Sequence, residues 1–218
     1  MLVSHLNEFI FIKTHRSAST SIEVLLQPFC TKDQSLLTGK ERQNSISDER
    51  GIIGYRGPCA NKKLIVFRNY TSISELITQL GLETVNKYFK FCVVRDPWTK
   101  LVSAFMDQAK FKNFNDFVRN RIHIYYDWPL YTVDDKPVMD FVIRFDYLKS
   151  DLKKALAKVG INTKIINNMQ EFKKTKDKRR GLKWKSFFDK NLDEMVQKHF
   201  EKEIVNFGFT PPWIKNKE

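Results

Sequence analysis

Phe9-Ile10-Phe11-Ile12-Lys13-Thr14-His15-Arg16-Ser17-Ala18-Ser19-Thr20-Ser21 decides the fold of this 218-residue chain. Glu8 to Lys13 reads as a buried β-strand, and Ile22, Leu25 and Leu26 mark the i, i+3, i+4 face of a helix that follows at once. The loop between them is small, hydroxyl-rich and basic. A strand, loop and helix in this order make an anion cradle. The first helical N–H groups lack intrahelical partners, the helix dipole adds partial positive charge, and Ser and Thr hydroxyls donate further hydrogen bonds. Ala18 and Ser19 let the backbone approach a phosphate or sulfate closely. The G-x-x-x-x-G-K-[ST] spacing of a nucleoside-triphosphate loop is absent, so the cradle is of another kind.

The same arrangement recurs downstream. Phe89 to Val94 is a second apolar strand that runs into Arg95-Asp96-Pro97. Asp96 is a good N-cap and Pro97 suits the first helical position, so a helix is predicted from Trp98 to about Ala109, with Leu101, Val102 and Phe105 inward. Asp140 to Arg144 is a third apolar strand, and Leu148, Leu152, Leu156 and Val159 mark a helix that ends at Gly160. Ser72 caps a further helix with Ile73, Leu76, Ile77 and Leu80 on one face, closed by Gly81, while Phe114, Phe117 and Val118 mark another. Leu64 to Phe67 is a short strand candidate. Residues 31 to 62 form a polar excursion with Gly39, Gly51, Gly54, Gly57 and Pro58 as punctuation. Strands alternating with helices predict an α/β fold, a central parallel β-sheet flanked by helices on both faces, and a single domain over residues 1 to 218. Ligands of such sheets bind where the strands finish, so two basic loops on one edge call for a ligand with two separated anionic groups.

Charge agrees with an anionic partner. Thirty-eight Lys and Arg against 25 Asp and Glu give a net charge of +13, and residues 171 to 190 alone carry nine basic side chains against three acidic ones. Cys30, Cys59 and Cys92 show no C-x-x-C spacing, so neither a disulfide framework nor a zinc site is predicted, and no carboxylate or His cluster has metal-ligand spacing. No run of about 18 apolar residues and no leader pattern occurs, from which a soluble cytoplasmic protein with no membrane contact is expected.

The loops carry a resemblance. His15-Arg16-Ser17-Ala18-Ser19-Thr20-Ser21 is similar to the P-K-[ST]-[AG]-[GST]-T-S loop of sulfotransferases that use 3′-phosphoadenosine 5′-phosphosulfate (PAPS). Val94-Arg95-Asp96-Pro97-Trp98-Thr99-Lys100-Leu101-Val102-Ser103-Ala104-Phe105 resembles their V-R-[DN]-P-[YW]-x-[KR]-L-x-S-x-[YF] motif. Asp140-Phe141-Val142-Ile143-Arg144-Phe145-Asp146-Tyr147-Leu148 looks like the family's D-F-I-x-R-[FY]-E-x-L segment, and the chain resembles in particular the carbohydrate branch that includes the heparan 2-O-sulfotransferases. The likeness runs over roughly residues 8 to 209 and is weakest between 30 and 62. It implies a P-loop-like fold, PAPS as sulfate donor and a hydroxyl-bearing acceptor, in particular a carbohydrate. The family's loop lysine aligns with Arg16, where a planar fork of donors replaces a point charge.

The resemblance also distributes roles. Arg16, with Ser17, Ala18, Ser19, Thr20 and Ser21, would hold the 5′-phosphosulfate and stabilise the departing phosphate; Arg95 and Ser103 would clamp the 3′-phosphate; Arg179, Arg180 and Gly181 resemble the basic loop that closes over the nucleotide. Lys13 is a second cation candidate beside a plain end-of-strand lysine. The acceptor proton needs a base, and His15 is nearest to the donor loop, although it stands where the family has Pro. His5, His123 and His199 read as structural or exposed, and Asp48 and Glu49 stay open. Two other readings compete: a non-catalytic basic protein that binds nucleic acid or another polyanion, which leaves the paired loops unexplained, and a nucleotide kinase, against which the missing lysine spacing counts.

Overall fold

The computed structural model describes residues 1–38, 44–57, 67–108, 111–169 and 184–214. In chain order these contain β1 (Leu2–Ser4), β2 (Phe9–Ile12), α1 (Ser19–Leu26), β3 (Ile46–Asp48), β4 (Gly51–Ile53), α2 (Ile73–Leu80), α3 (Leu82–Lys87), β5 (Phe89–Val94), α4 (Pro97–Phe105), α5 (Phe114–Arg121), β6 (Thr132–Val133), β7 (Lys136–Pro137), β8 (Phe141–Arg144), α6 (Leu148–Lys158), α7 (Lys190–His199) and α8 (Glu201–Phe207). They fall into two compact units. One comprises Met1–Thr14, Ala18–Val94 and Pro129–Phe172, the other His15–Ser17, Arg95–Trp128 and Lys173–Glu218.

The first unit is a mixed α/β structure built on a six-stranded sheet in the order β3-β4-β1-β2-β5-β8. β2, β5 and β8 run parallel, as the βα pattern predicts, but β1, β3 and β4 are antiparallel to their neighbours. This corrects the expectation of a wholly parallel sheet. Only residues 5 to 8 separate β1 from β2, too few for a crossover, so the pair closes as a hairpin. The other two antiparallel strands come from the polar excursion, where Asp48 ends β3 and accepts hydrogen bonds from the Arg50 amide at 2.8 Å, the Lys32 amide at 2.9 Å and the Thr31 hydroxyl at 2.7 Å. Gly51 is required because a Cβ there would lie 2.0 Å from the Val3 carbonyl oxygen.

Phe9, Phe11, Phe91, Val93 and Ile143 line one face of this sheet and pack with Ile22 and Leu26 of α1 and Leu152, Ala155 and Leu156 of α6. Ile10, Ile12, Cys92 and Val94 point the other way and are equally buried. Burial on both faces explains why β2 and β5 read as continuous apolar runs and not as alternating ones. α2 begins with the capping box its sequence promises: Ser72 Oγ accepts from the Glu75 amide, and Glu75 Oε2 accepts from the Ser72 amide at 2.7 Å.

In the second unit Asp96 caps α4 by accepting from the Thr99 amide at 2.8 Å, with Pro97 in the first turn. The helix ends at Phe105, short of the predicted end; residues 109 and 110 lie outside the described residues, as do 64–66 of the strand candidate and Arg179, Arg180 and Gly181. Phe105, Phe114 and Phe187 meet edge to face, and Trp98 donates to Asp193 at 2.7 Å. No described helix is long and apolar enough to cross a membrane.

Candidate active site

The parallel pairing of β2 with β5, Phe9 opposite Phe89 through Ile12 opposite Cys92, makes both strands finish at the same edge. Thr14 ties the two ends together by donating its hydroxyl to the Val93 carbonyl at 2.6 Å. Beyond Thr14 the backbone departs from right-handed geometry at Arg16, with φ of 54°, and again at Ala18, with φ of 59°. Alternating handedness turns successive N–H groups toward one side, which is how backbone makes an anion nest. Ala18 carries no side-chain oxygen, so no side chain caps the start of α1. Ser19 stabilises the turn by donating to the Thr14 carbonyl at 2.7 Å, and the Ser21 amide donates to the Ala18 carbonyl at 2.9 Å.

Lys13 differs from the expectation of a second ligand cation. Its side chain is 1% exposed and its ammonium rests on the Glu23 carboxylate, itself fully buried on α1. Arg56 approaches the same carboxylate at 3.6 Å. Burial alone would raise the Glu23 pKa, but Lys13, the chain's amino terminus and Arg56 hold it below the ordinary carboxylate value. An unpaired ammonium inside the protein would be costly, so the charge of Lys13 is balanced within the core.

Within the second unit, Arg16, Arg95 and Ser103 come together. Arg95 Nη1 donates to the Arg16 carbonyl at 2.7 Å, and its Nε donates to the Thr99 hydroxyl at 3.0 Å. Arg16 Nη2 donates to the Ser103 carbonyl at 2.7 Å and reaches its hydroxyl at 3.3 Å, while Nη1 meets Asp107 at 2.8 Å. Arg16 Nε is buried without a hydrogen-bond partner. Thus the residues drawn from the two sequence motifs adjoin.

His15 brings in partners that the sequence did not reveal. Its backbone N–H donates to both carboxylate oxygens of Asp127, at 3.0 and 3.1 Å, and its ring Nδ1 lies 2.6 Å from Asp127 Oδ1. Lys100 Nζ donates to Asp127 at 2.9 Å and to Glu203 at 3.3 Å, and Glu203 accepts from the Asp127 amide at 3.1 Å. Burial would push the Asp127 carboxyl up, but the Lys100 charge and the His15 hydrogen bond hold it below its usual value; for Lys100, the two carboxylates outweigh burial and raise it. Lys100 was visible as the basic position of the second motif, without a role. Asp127 and Glu203 had no signal, since their separation from His15 in sequence is 112 and 188 positions.

The remaining histidines are accounted for by packing or exposure. His5 pairs with the Tyr88 hydroxyl at 2.8 Å, His199 packs edge-on against Tyr126 and Phe200, and His123 is exposed. Among the described residues no group of three or more His, Cys, Asp or Glu is placed to hold a metal ion.

Arginines from two loops thus meet within the second unit, Arg95 donating to the Arg16 carbonyl. Residues 1–210 match the model of the Sulfotransferase family, and the chain belongs to that family, whose members transfer sulfuryl groups. It is 33% identical over 92 residues to an uncharacterised protein of Archaeoglobus fulgidus, an alignment that spans 38% of this chain and 77% of that relative. No solved structure matches it.

Proposed function

We propose that the protein moves a sulfuryl group from PAPS to a hydroxyl group of a carbohydrate. The observation that carries this reading is the 2.7 Å hydrogen bond from Arg95 to the Arg16 carbonyl, which joins the two loops that the motifs assign to the two ends of one nucleotide. The residues fit such a ligand. Arg16 has a buried, unpartnered Nε and lies against Ser103 and Arg95. PAPS, when bound, supplies the activated sulfuryl group. Arg16, Ser17, Ala18, Ser19, Thr20 and Ser21 hold its 5′ end and stabilise developing negative charge there, as preorganised donors do in related group transfers. Arg95 and Ser103 hold its 3′-phosphate. His15 takes the acceptor proton. The carbohydrate acceptor, and membership of the branch that includes the heparan 2-O-sulfotransferases, rest on the likeness of the chain's motifs to that branch.

Titration calorimetry with 3′-phosphoadenosine 5′-phosphate tests the assignment. Arg95→Ala should weaken binding by about 1.5 to 3 kcal/mol, the worth of a hydrogen bond to a charged group. It should also reduce the preference for the bisphosphate over 5′-AMP, because only the former carries the 3′-phosphate. A variant that keeps both the affinity and the preference removes Arg95 from the nucleotide site.

A further inference from the structure

Asp127 is tied to His15 more firmly than a surface pairing requires. It accepts from three donor groups on two residues of widely separated sequence, the His15 backbone N–H and ring and the Lys100 ammonium, and its own amide is fixed by Glu203. Asp127, Lys100 and Glu203 are all about 2% exposed at their side chains, while the His15 ring retains 18%. Two buried carboxylates face one buried ammonium. The ring also stands edge-on to Tyr125, with centroids 5.8 Å apart at 84°.

We propose that Asp127 is a positioning residue that fixes His15 in the Nδ1–H tautomer, so that Nε2 is the atom that accepts the proton of the attacking hydroxyl. An ionised carboxylate only accepts hydrogen bonds, so the ring nitrogen facing it carries the hydrogen and the lone pair lies on the other nitrogen. Lys100 keeps Asp127 charged, and Glu203 keeps it in place by accepting from its backbone amide. The inference deepens the sulfuryl-transfer reading and rests on it for the chemistry. In that step the acceptor O–H proton passes to Nε2, the acceptor oxygen bonds to sulfur, and the bond from sulfur to the 5′-phosphate oxygen breaks with its electrons leaving on that phosphate. Asp127 then faces the imidazolium and remains ionised.

The test combines a spectroscopic and a kinetic readout. In the wild-type protein labelled with 15N-histidine, the neutral His15 ring should show Nδ1 protonated and Nε2 bare, identified by loss of that signal in His15→Gln. Asp127→Asn should release the tautomer and lower kcat by roughly 100- to 10,000-fold, the usual contribution of a positioned acid or base. Affinity for 3′-phosphoadenosine 5′-phosphate should hold within about threefold, well inside one decade of binding constant. A wild-type ring protonated on Nε2 overturns the proposal whether or not the variant folds. So does a folded Asp127→Asn protein with near-normal kcat. A wild-type chain that moves no sulfate overturns the sulfuryl-transfer reading instead, and the ring-nitrogen measurement still judges the grip of Asp127.

Discussion

Arg16→Ala is expected to lower the rate of sulfate transfer by about 100- to 1,000-fold, the loss typical when one preorganised donor is removed from a site of developing negative charge. The fold should survive. Arg16 is partly exposed and its ion pair with Asp107 is of the surface kind, worth less than about 1 kcal/mol. Alanine also inherits the left-handed conformation at that position no worse than arginine does. Arg16→Lys should recover part of the rate, because charge returns without the planar fork that reaches Ser103 and Asp107 together. Turnover by Arg16→Ala within a few-fold of wild type, at an unchanged melting temperature, would take Arg16 out of the chemistry.

Glu23→Ala is expected to cost about 3 to 5 kcal/mol in urea unfolding, since it leaves Lys13 and Arg56 facing each other in the core without their carboxylate. Replacing Lys13 and Glu23 together by Met and Leu should restore the part of that loss that comes from Lys13, as apolar side chains of similar volume often do for a buried pair, while Arg56 still loses the carboxylate. Nucleotide affinity should be kept in the double variant, because Lys13 serves Glu23. The same pair makes the protein acid-labile. Glu23 and Asp127 both have depressed pKa values when folded, so their stabilisation is complete above the unfolded carboxylate values near about 4 and is lost as pH falls below them toward the folded values. Melting temperatures that stay level from neutral pH to strong acid would contradict this sign.

The parts of the fold legible in the sequence are those that combine an apolar run with a terminal signal. β2, β5 and β8 are buried on both faces or ended by a charged turn, and α2 and α4 announce themselves through Ser72 with Glu75 and Asp96 with Pro97. β3 escaped because its residues are only half covered and alternate with polar ones, and β1 because three residues are too few to show a period. Missing these strands is what made the sheet look wholly parallel. The site divides in the same way. Arg16, Arg95 and Ser103 were readable because each belongs to a local motif whose strand sets its position. The fate of Lys13 was not, since its balance depends on a carboxylate a helix turn and a half into α1 together with Arg56. The Asp127, Lys100 and Glu203 set depends on three distant segments meeting, for which no spacing rule exists. Arg179, Arg180 and Gly181 lie outside the described residues.

Incubation with PAPS carrying radiolabelled sulfate, over a panel of glycans and small alcohols, tests the central claim most directly. Label is expected to appear on a carbohydrate hydroxyl in the same amount as 3′-phosphoadenosine 5′-phosphate is released, and both should fall by about 100- to 1,000-fold with Arg16→Ala. A folded wild-type protein that leaves PAPS intact with every acceptor, while binding nucleic acid in a salt-sensitive way, would contradict the assignment.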